Sequence, residues 1–287
     1  MSCLRTYIGE KVDVVMPTLN SVSRVGENVF RLVLHSIYKW IPVNRLLVVD
    51  DGSRDGTLDI LKDFDAVILR GSGSLGKARE IGIRNVKTEL FYFIDDDNLI
   101  PERFHEKMCQ YIDEKTGIIF PKAIIPYDNY ITRYETIIGK IRRSLGLRDV
   151  VENRGYTGAS LIRTEAVRDI QIPRIARQED KFIKSYCEKR GWKTKLASEV
   201  TVLHLCKNLP SYRTQYLEGQ GLAIVGDISG MRMLFSWLLT YPKVLLAFPY
   251  VRKVKLLSEI PKMYYVKYRG YLDVLRSNKV NIKMSSI

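Results

Sequence analysis

The chain has 287 residues, of which 46% are hydrophobic and 10% aromatic, and it carries a formal net charge of +14. A chain of this length and composition buries a sizeable core, which excludes wholesale disorder. Its four cysteines are scattered and contain no CxxC pair, so neither a disulfide framework nor a zinc site is expected. We expect reduced thiols in a cytoplasmic protein instead.

The first eleven residues lack the apolar stretch of a signal peptide, so export is not expected. After them, short apolar runs alternate with helical patterns over two thirds of the chain. This alternation predicts βαβ units and a mostly parallel sheet flanked by helices, which is an α/β fold of the Rossmann-like type. The predicted strands span residues 12–17, 45–53, 66–71, 91–97 and 117–125, and the predicted helices span residues 26–40, 53–64, 75–85 and 101–115.

Three of these predicted strands end in polar clusters, which read PTLN, DDGS and DDDN. Ligands of such sheets bind beyond the carboxyl ends of the strands, so we expect the three clusters to converge on one edge. Three consecutive aspartates repel one another unless something positive meets them. The cluster at residues 95–97 therefore indicates a bound cation, although an acidic surface turn is the alternative for the triplet taken alone.

The C-terminal quarter is the most basic part of the chain. Residues 211–287 contain 12 Lys and Arg residues against 4 Asp and Glu residues. Nucleic acid, anionic lipid, a phosphorylated substrate or simple solubility would each account for this excess. An apolar stretch here is interrupted by Pro242, Lys243 and Pro249, so we expect helices that lie in a membrane interface or pack on the core rather than a membrane-spanning helix.

Several motifs occur in a fixed order between residues 12 and 204: VVMPTLN, LLVVDDGSRDGT, GKAREIGI, FIDDDN, the QED of residues 178–180, and VLH. In this set and order the chain resembles the inverting glycosyltransferases of family 2, which have a GT-A fold. The resemblance implies a GT-A catalytic domain over residues 1–210. Residues 211–287, which match no comparably specific motif, are expected to form a helical, basic, C-terminal extension.

The resemblance also implies an activity and a donor site. The activity is metal-dependent transfer of a sugar, of the hexosyltransferase type, from a UDP-sugar or GDP-sugar to a hydroxyl or phosphate acceptor that is lipid-linked or a glycan. Asp51 matches the aspartate that hydrogen-bonds the base, which favours uracil or guanine over adenine. The residues that match the family's nucleotide-sugar contacts are Pro17, Thr18, Asn20, Asp51, Lys77, Arg79, Asp95 and Asp96.

The remaining matches concern the metal and the acceptor. Asp97 matches the aspartate that coordinates Mg²⁺ or Mn²⁺, and His204 matches a histidine that supplies another metal ligand in some members. Asp180 matches the general base of a single displacement, since one carboxylate within hydrogen-bond reach suffices. The acceptor side would include Glu179, Gly158 and Ala159. Lys181 departs from the bulky aromatic or polar residue that usually follows this motif, which leaves the acceptor identity open.

Three other classes are alternatives. A phosphatase of the haloacid-dehalogenase type also ends a strand in DxD but needs Thr or Val where Asn98 stands. A sugar nucleotidyltransferase needs a GxGxR loop where PTLN stands. A nucleic-acid binder would explain the charge but not the acidic clusters, so no nucleic-acid partner is expected. Peripheral contact with the cytoplasmic face of the inner membrane is expected, and the oligomeric state stays open.

Overall fold

A computed structural model describes residues 7–146, 154–205, 210–226 and 228–284. These residues form two compact units. The first takes in the described parts of residues 1–126, 154–174 and 180–207, and the second takes in those of residues 127–153, 175–179 and 208–287. The expected domain boundary at residue 210 lies near residue 208, where the last segment of the second unit begins. The second unit also includes two segments that come earlier in the chain.

The first unit is built on a sheet of eight strands among the described residues. The strands are β1 (Val12–Thr18), β2 (Val43–Asp50), β3 (Val67–Arg70), β4 (Leu90–Ile94), β5 (Asn98–Leu99), β6 (Thr116–Ile124), β7 (Ala159–Arg163) and β8 (Lys193–His204). Their order in the sheet is β3-β2-β1-β4-β7-β6-β8-β5. The pairs β1–β2, β1–β4, β2–β3 and β6–β8 are parallel, and β4–β7, β6–β7 and β5–β8 are antiparallel. The predicted α/β class is confirmed.

The inner strands β1 and β4 are buried along their whole length. Their nearly continuous apolar sequences suit strands that are covered on both faces. The parallel register places Thr18 opposite Asp50 and Val15 opposite Phe93. The carboxyl ends of β1, β2 and β4 therefore meet at one edge of the sheet, as the polar clusters predicted.

The helices are α1 (Ser21–Val25), α2 (Glu27–Trp40), α3 (Thr57–Lys62), α4 (Leu75–Asn85), α5 (Phe104–Cys109), α6 (Tyr130–Ser144), α7 (Thr164–Val167), α8 (Glu179–Lys189), α9 (Tyr212–Val225), α10 (Gly230–Leu238), α11 (Thr240–Val251) and α12 (Lys255–Met284). Helix α4 packs closely on β1, because a Cβ at Gly82 would overlap Val15. Helix α5 is shorter than the predicted 101–115. The Asp113 carboxylate accepts hydrogen bonds from Lys115 and Thr116, and this turn begins the approach to β6 instead.

The second unit consists of helices α6 and α9–α12, which confirms the predicted helical C-terminal region. The backbones of α9 and α12 approach closely, because a Cβ at Gly219 would overlap the Lys267 carbonyl and one at Gly270 would overlap that of Tyr216. Helices α6, α11 and α12 enclose a core of their own. The buried residues of that core are Ile131, Tyr134, Val244, Ala247, Val251, Leu256, Ile260 and Met263.

The expectation that prolines break the apolar stretch is wrong. Pro242 lies in the first turn of α11, where a proline removes no hydrogen bond within that helix, and Pro249 lies exposed inside its last turn. Only Leu239, itself right-handed helical (φ −70°, ψ −5°), separates α10 from α11. By length and composition, Gly230–Val251 is the one stretch of the described residues that could cross a membrane, with 22 residues and a mean hydropathy of 1.3.

Two of the four cysteines lie within the described residues. Cys109 and Cys187 are buried and make no disulfide. Burial raises the pKa of each thiol to about 12, so both stay protonated at neutral pH. This agrees with the reduced thiols expected from the sequence. Cys3 and Cys206 lie outside the described residues.

Candidate active site

The loops after β1 and β2 are joined by hydrogen bonds. The Asp50 carboxylate accepts from the Thr18 hydroxyl at 3.1 Å and from the backbone N–H groups of Gly52 and Ser53 at 2.8 and 2.9 Å. The backbone N–H of Asn20 donates to the Ser53 hydroxyl at 2.8 Å. Asp50 thus builds the turn after β2. Thr18 and Asn20 lie at its border, and Pro17 is buried within β1.

Asp51 lies beside the glycine-rich loop that precedes α4. Its carboxylate accepts from the backbone N–H of Gly73 at 2.9 Å. Only glycine fits at residue 71, since a Cβ there would overlap the Asp51 carboxylate. The Arg174 guanidinium donates to the Ser72 carbonyl at 2.5 Å, which brings a cation to this loop that the sequence analysis missed. Asp51 is therefore half-buried, with its carboxylate bound to this loop, at the same edge of the sheet.

The residues of α4 that match the diphosphate contacts have different surroundings. Lys77 lies in the first turn, one third exposed, and its ammonium group pairs with Glu80 at 2.7 Å. Arg79 is buried, with 1% of its surface exposed. Its guanidinium donates to the Asp95 carboxylate at 2.9 Å and lies 4.8 Å above the centre of the Phe93 ring. Arg79 therefore contacts Asp95 rather than the surface of the site.

The three consecutive aspartates meet different partners. Asp95 pairs with Arg79, Asp96 accepts from Ser21 and Arg24, and Asp97 pairs with Arg24 at 2.8 Å. This is how the fold tolerates three adjacent carboxylates, two of them almost fully buried. Sequence reasoning missed Arg24, because it follows β1 in a helix of only five residues that carries no motif.

Asp97 and His204 form the pair expected for a metal. The His204 Nε2 atom lies 3.1 Å from the Asp97 carboxylate, because β5 and β8 pair antiparallel with Asn98 opposite His204. Burial alone would raise the pKa of Asp97, but the hydrogen bond from His204 and the charges of His204 and Arg24 outweigh it and lower the pKa to about 2. Burial alone would lower the pKa of His204, whereas its hydrogen bond to Asp97 raises it.

This donor set suits a hard divalent cation. A carboxylate oxygen and an imidazole nitrogen are ligands that Mn²⁺ and Mg²⁺ accept, and an ion bound here would share the Asp97 carboxylate with the Arg24 guanidinium or displace it. Within the described residues, no three carboxylate, imidazole or thiol groups form a complete metal-binding cluster. An ion here would therefore take its other ligands from a diphosphate and water, as Mg²⁺ commonly does.

The loop before β7 lies against the aspartates. The backbone N–H of Asp95 donates to the Gly158 carbonyl at 2.7 Å. A Cβ at Gly158 would lie 2.6 Å from the Tyr156 hydroxyl and 2.9 Å from the Asn98 amide, so only glycine fits. Ala159 is the first residue of β7 and is fully buried opposite Ile94, where its side chain does not reach the surface.

Asp180 lies near the same loop. Its carboxylate accepts from the Thr157 hydroxyl and pairs with the Arg154 guanidinium at 3.3 Å. The Tyr156 phenol donates to the Asn98 side chain. Burial, followed by the charges of Asp95, Asp97 and Asp180, raises the pKa of Tyr156 well above its ordinary value.

Tyr156 contacts Asn98, the neighbour of Asp97, and the adjacent Thr157 contacts Asp180, so this loop lies between the expected metal and base carboxylates. The sequence analysis missed Tyr156 because its partners are far away in the chain. Glu179, the first residue of α8, is buried and is assigned to the second unit.

Comparison with known proteins identifies the family and the fold. The profile of Glycosyl transferase family 2 matches residues 13–170, more than half of the chain. The poly(ribitol-phosphate) beta-N-acetylglucosaminyltransferase TarP of Staphylococcus aureus is 29% identical over 117 residues, which make up 38% of this chain and 35% of TarP. The glycosyltransferase GlyA of Streptococcus pneumoniae is 29% identical over 114 residues, or 37% of this chain and 16% of GlyA. The match thus spans about a third or less of these relatives.

A solved structure shows the same fold. Glucosyl-3-phosphoglycerate synthase from Mycobacterium tuberculosis, in complex with Mn²⁺, UDP and glucosyl-3-phosphoglycerate, has a TM-score of 0.54 at 18% identity and covers 77% of this chain and 80% of that one. The same enzyme has also been solved with Mg²⁺ and UDP. Family membership decides against the phosphatase and nucleotidyltransferase alternatives. The chain belongs to glycosyl transferase family 2 and is a glycosyltransferase with a GT-A fold.

Proposed function

We propose that this glycosyltransferase is metal-dependent and inverting, and that it moves a sugar from a UDP-sugar or GDP-sugar to a hydroxyl or phosphate acceptor. The observation that carries the proposal is the Asp97–His204 pair beside Asp95 and Asp96, at the carboxyl edge of a GT-A sheet. The presence of Mn²⁺ or Mg²⁺ with UDP in structures of similar fold supports the same cofactors here.

The donor nucleotide would bind at the ends of β1 and β2. Pro17, Thr18 and Asn20 would border the base and ribose, and the Asp51 carboxylate would accept a hydrogen bond from a ring N–H of uracil or guanine. Lys77 lies in the first turn of α4, where the helix dipole favours a diphosphate. Arg79 fixes the Asp95 carboxylate for the ribose, and Asp96 would share that contact.

Asp97 and His204 would hold the divalent ion. Such an ion, when bound, supplies positive charge to the diphosphate and stabilises the departing nucleoside diphosphate. Within the chain, Arg24 lowers the repulsion between Asp96 and Asp97, which keeps the Asp97 carboxylate ionised and next to His204. An ionised carboxylate and a positioned imidazole are the forms that bind a metal.

Asp180 would act as the general base of a single displacement. The acceptor hydroxyl attacks the anomeric carbon from the face opposite the nucleoside diphosphate, and its proton passes to the Asp180 carboxylate. Thr157 and Arg154 hold that carboxylate in place. Gly158 lets Tyr156 and Asn98 pack against the loop before β7, and Glu179 would lie on the acceptor side, whereas the buried Ala159 would support the loop from beneath.

We further propose that residues 1–210 form the catalytic domain and that residues 211–287 form an accessory helical region. The acceptor would be lipid-linked or a glycan, and the enzyme would work in the cytoplasm in peripheral contact with the inner membrane face. Residues 211–287 contain 12 basic and 4 acidic residues, and this excess of positive charge supports the contact because it favours binding to an anionic surface.

A screen of nucleotide-sugars tests the proposed activity. Purified full-length protein is incubated with UDP-sugars and GDP-sugars in the presence of Mn²⁺, Mg²⁺ or EDTA, and the released nucleoside diphosphate is measured. We expect at least one donor to be hydrolysed slowly in a metal-dependent way, because water can replace the acceptor. Equal release with EDTA would contradict metal dependence. Failure of every UDP-sugar and GDP-sugar to bind or react would contradict the donor class.

A further inference from the structure

Helices α10 and α11 carry an exposed apolar surface, which we call the apolar stripe. Its members are between 46% and 72% exposed. At about 100° per residue they lie within an arc of about 140°, on one side of two nearly continuous helices. The apolar stripe consists of Met231, Phe235, Leu238, Leu239, Leu245, Leu246 and Tyr250.

The opposite side of the same helices is packed inside the second unit. Met233 packs with Leu222 and Tyr271, and Val244, Ala247 and Val251 belong to the core shared with α6 and α12. Trp237 lies against the rings of Tyr265 and Tyr268. The helices are therefore apolar on both sides, with one side buried. Spanning a membrane would expose that buried side to lipid and dismantle this core, so length and composition alone do not make this stretch a spanning helix.

The charge around the apolar stripe has a single sign. No Asp or Glu occurs between Gly230 and Ser258, whereas five basic residues do. Arg252, Lys253 and Lys255 follow the stripe directly and are exposed. Arg232 and Lys243 lie within the two helices, about 70° and 90° round the helix axis from the centre of the stripe at the 3.6-residue period. An anionic partner with an apolar interior fits this combination.

We propose that the apolar stripe lies flat in the interface of an anionic lipid bilayer, with the basic residues on lipid headgroups. This inference rests on the membrane contact proposed above and names its surface and mode. A second copy of the chain fits less well, because a two-fold contact through the stripe would bring the same basic residues together. Helices in such an interface bury their apolar side to a depth of about 5 to 10 Å while the rest of the protein stays in water.

Vesicle co-sedimentation tests the apolar contribution. Full-length protein is mixed with phosphatidylcholine vesicles that contain or lack about a third phosphatidylglycerol. Leu245→Ser combined with Leu246→Ser should lower the partition coefficient by roughly tenfold or more, because two apolar side chains that would enter the lipid are lost. The control combines Leu32→Ser with Ile224→Ser, which removes two exposed apolar residues outside the stripe and should leave partitioning unchanged. Equal losses in both variants would overturn the assignment of the stripe.

The charge contribution is measured separately. Lys253→Gln combined with Lys255→Gln should weaken binding to anionic vesicles roughly 20- to 30-fold and leave binding to neutral vesicles unchanged. Binding should also fall as salt is raised. Lys11→Gln combined with Lys87→Gln removes two exposed charges of the first unit and serves as the control.

Three outcomes would overturn the proposal. The first is no vesicle binding by the wild type. The second is protein that resists extraction by high salt and alkaline carbonate, which would indicate a spanning helix. The third is a dimer in sedimentation velocity that Leu245→Ser and Leu246→Ser dissociate without an effect on lipid binding, which would assign the stripe to a second copy. Metal-dependent nucleotide binding is measured without lipid, so it reports separately on the proposed transferase chemistry.

Discussion

Three neighbouring aspartates lie close together because two arginines share their charge. Arg79 pairs with Asp95 from the inside of the fold, and Arg24 pairs with Asp96 and Asp97 from the short helix α1 after β1. A buried carboxylate without such partners would take up a proton. The low pKa of Asp97, about 2, shows that the partners outweigh burial. The Asp97 carboxylate therefore stays ionised, which is the form that the proposed divalent ion would bind.

The role of Asp180 is tested by Asp180→Asn, which keeps the shape of the side chain and removes its basicity. We expect turnover to fall by about 10²- to 10⁴-fold, since that is the usual contribution of a positioned base. The affinity for the donor nucleotide should change little. Steady-state kinetics and nucleotide titration of the same preparation separate the two effects. A loss of nucleotide affinity that matched the loss of rate would instead indicate a structural role.

Asp13 is a buried carboxylate outside the proposed site, and it predicts a pH effect on stability. It lies fully buried in β1 and accepts from Arg45, from Asn44 at 2.8 Å and from the backbone N–H of Lys87 at 2.8 Å. Burial alone would raise the pKa of Asp13, but these hydrogen bonds outweigh it and lower the pKa. The folded state therefore binds the proton less readily than the unfolded chain, so stability is lost as the pH falls below about 4.

Asp13→Asn should lower the free energy of unfolding by about 2 kcal/mol at pH 7, the size of a hydrogen bond to a charged group. The difference between wild type and variant should shrink as the pH falls through 4, because the wild-type carboxylate is then protonated in the unfolded chain. Urea unfolding of wild type and variant at pH 7 and at a pH below about 4 measures this difference in the free energy of unfolding. Asp59→Asn, at an exposed position paired only with Lys62, is the control and should show little change. A pH-independent difference would contradict the account.

At the scale of elements, the close approach of two helix backbones explains why glycine stands at two positions that the sequence analysis did not address. Helices α9 and α12 contact each other through Gly219 and Gly270, and each would place a Cβ on a backbone carbonyl of the other helix. A backbone cannot move aside as a long side chain can. These two glycines therefore set the distance between the helices of the second unit.

Gly219→Ala should accordingly destabilise the second unit by about 2 kcal/mol, the usual size of an overpacking effect. Gly139→Ala is the matched control, since it lies in α6 and its Cβ would come no closer than 3.6 Å to the Arg143 side chain. That substitution should be neutral or stabilise by about 0.5 to 1 kcal/mol, because alanine favours a helix. Thermal unfolding followed by circular dichroism measures both variants. If both substitutions changed the unfolding temperature equally, α9 and α12 would have to be farther apart than described above.

Much of the sheet and its polar edge followed from the sequence, because apolar runs ending in polar clusters are local signals. The antiparallel strand β7 did not, since it begins within a small-residue stretch that indicates a loop. Arg24 and Tyr156 were missed for another reason. Each contacts residues more than 50 positions away in the chain, and no local pattern encodes such a contact. The helical course through Pro249 was missed because packing of α11 outweighs the local preference of proline.

At the scale of the whole molecule, the two units divide the proposed tasks. The first contains the sheet and the acidic cluster, and the second contains the basic helices with the apolar stripe. The family profile covers residues 13–170, which include the aspartate cluster but stop before Asp180 and His204. The proposed general base, Asp180, and the proposed second metal ligand, His204, are therefore supported by geometry and resemblance.

The central claim is that Asp97 holds a divalent ion which brings the donor diphosphate into the site. Isothermal titration of UDP and of GDP into full-length protein, with Mn²⁺ or with EDTA, tests it most directly. We predict that one nucleotide binds the wild type only with Mn²⁺, and that Asp97→Ala abolishes this metal-dependent binding while the variant remains folded. Asp59→Ala, which removes an exposed carboxylate paired with Lys62, serves as the control. Unchanged, Mn²⁺-dependent binding by Asp97→Ala would contradict the assignment of the metal site.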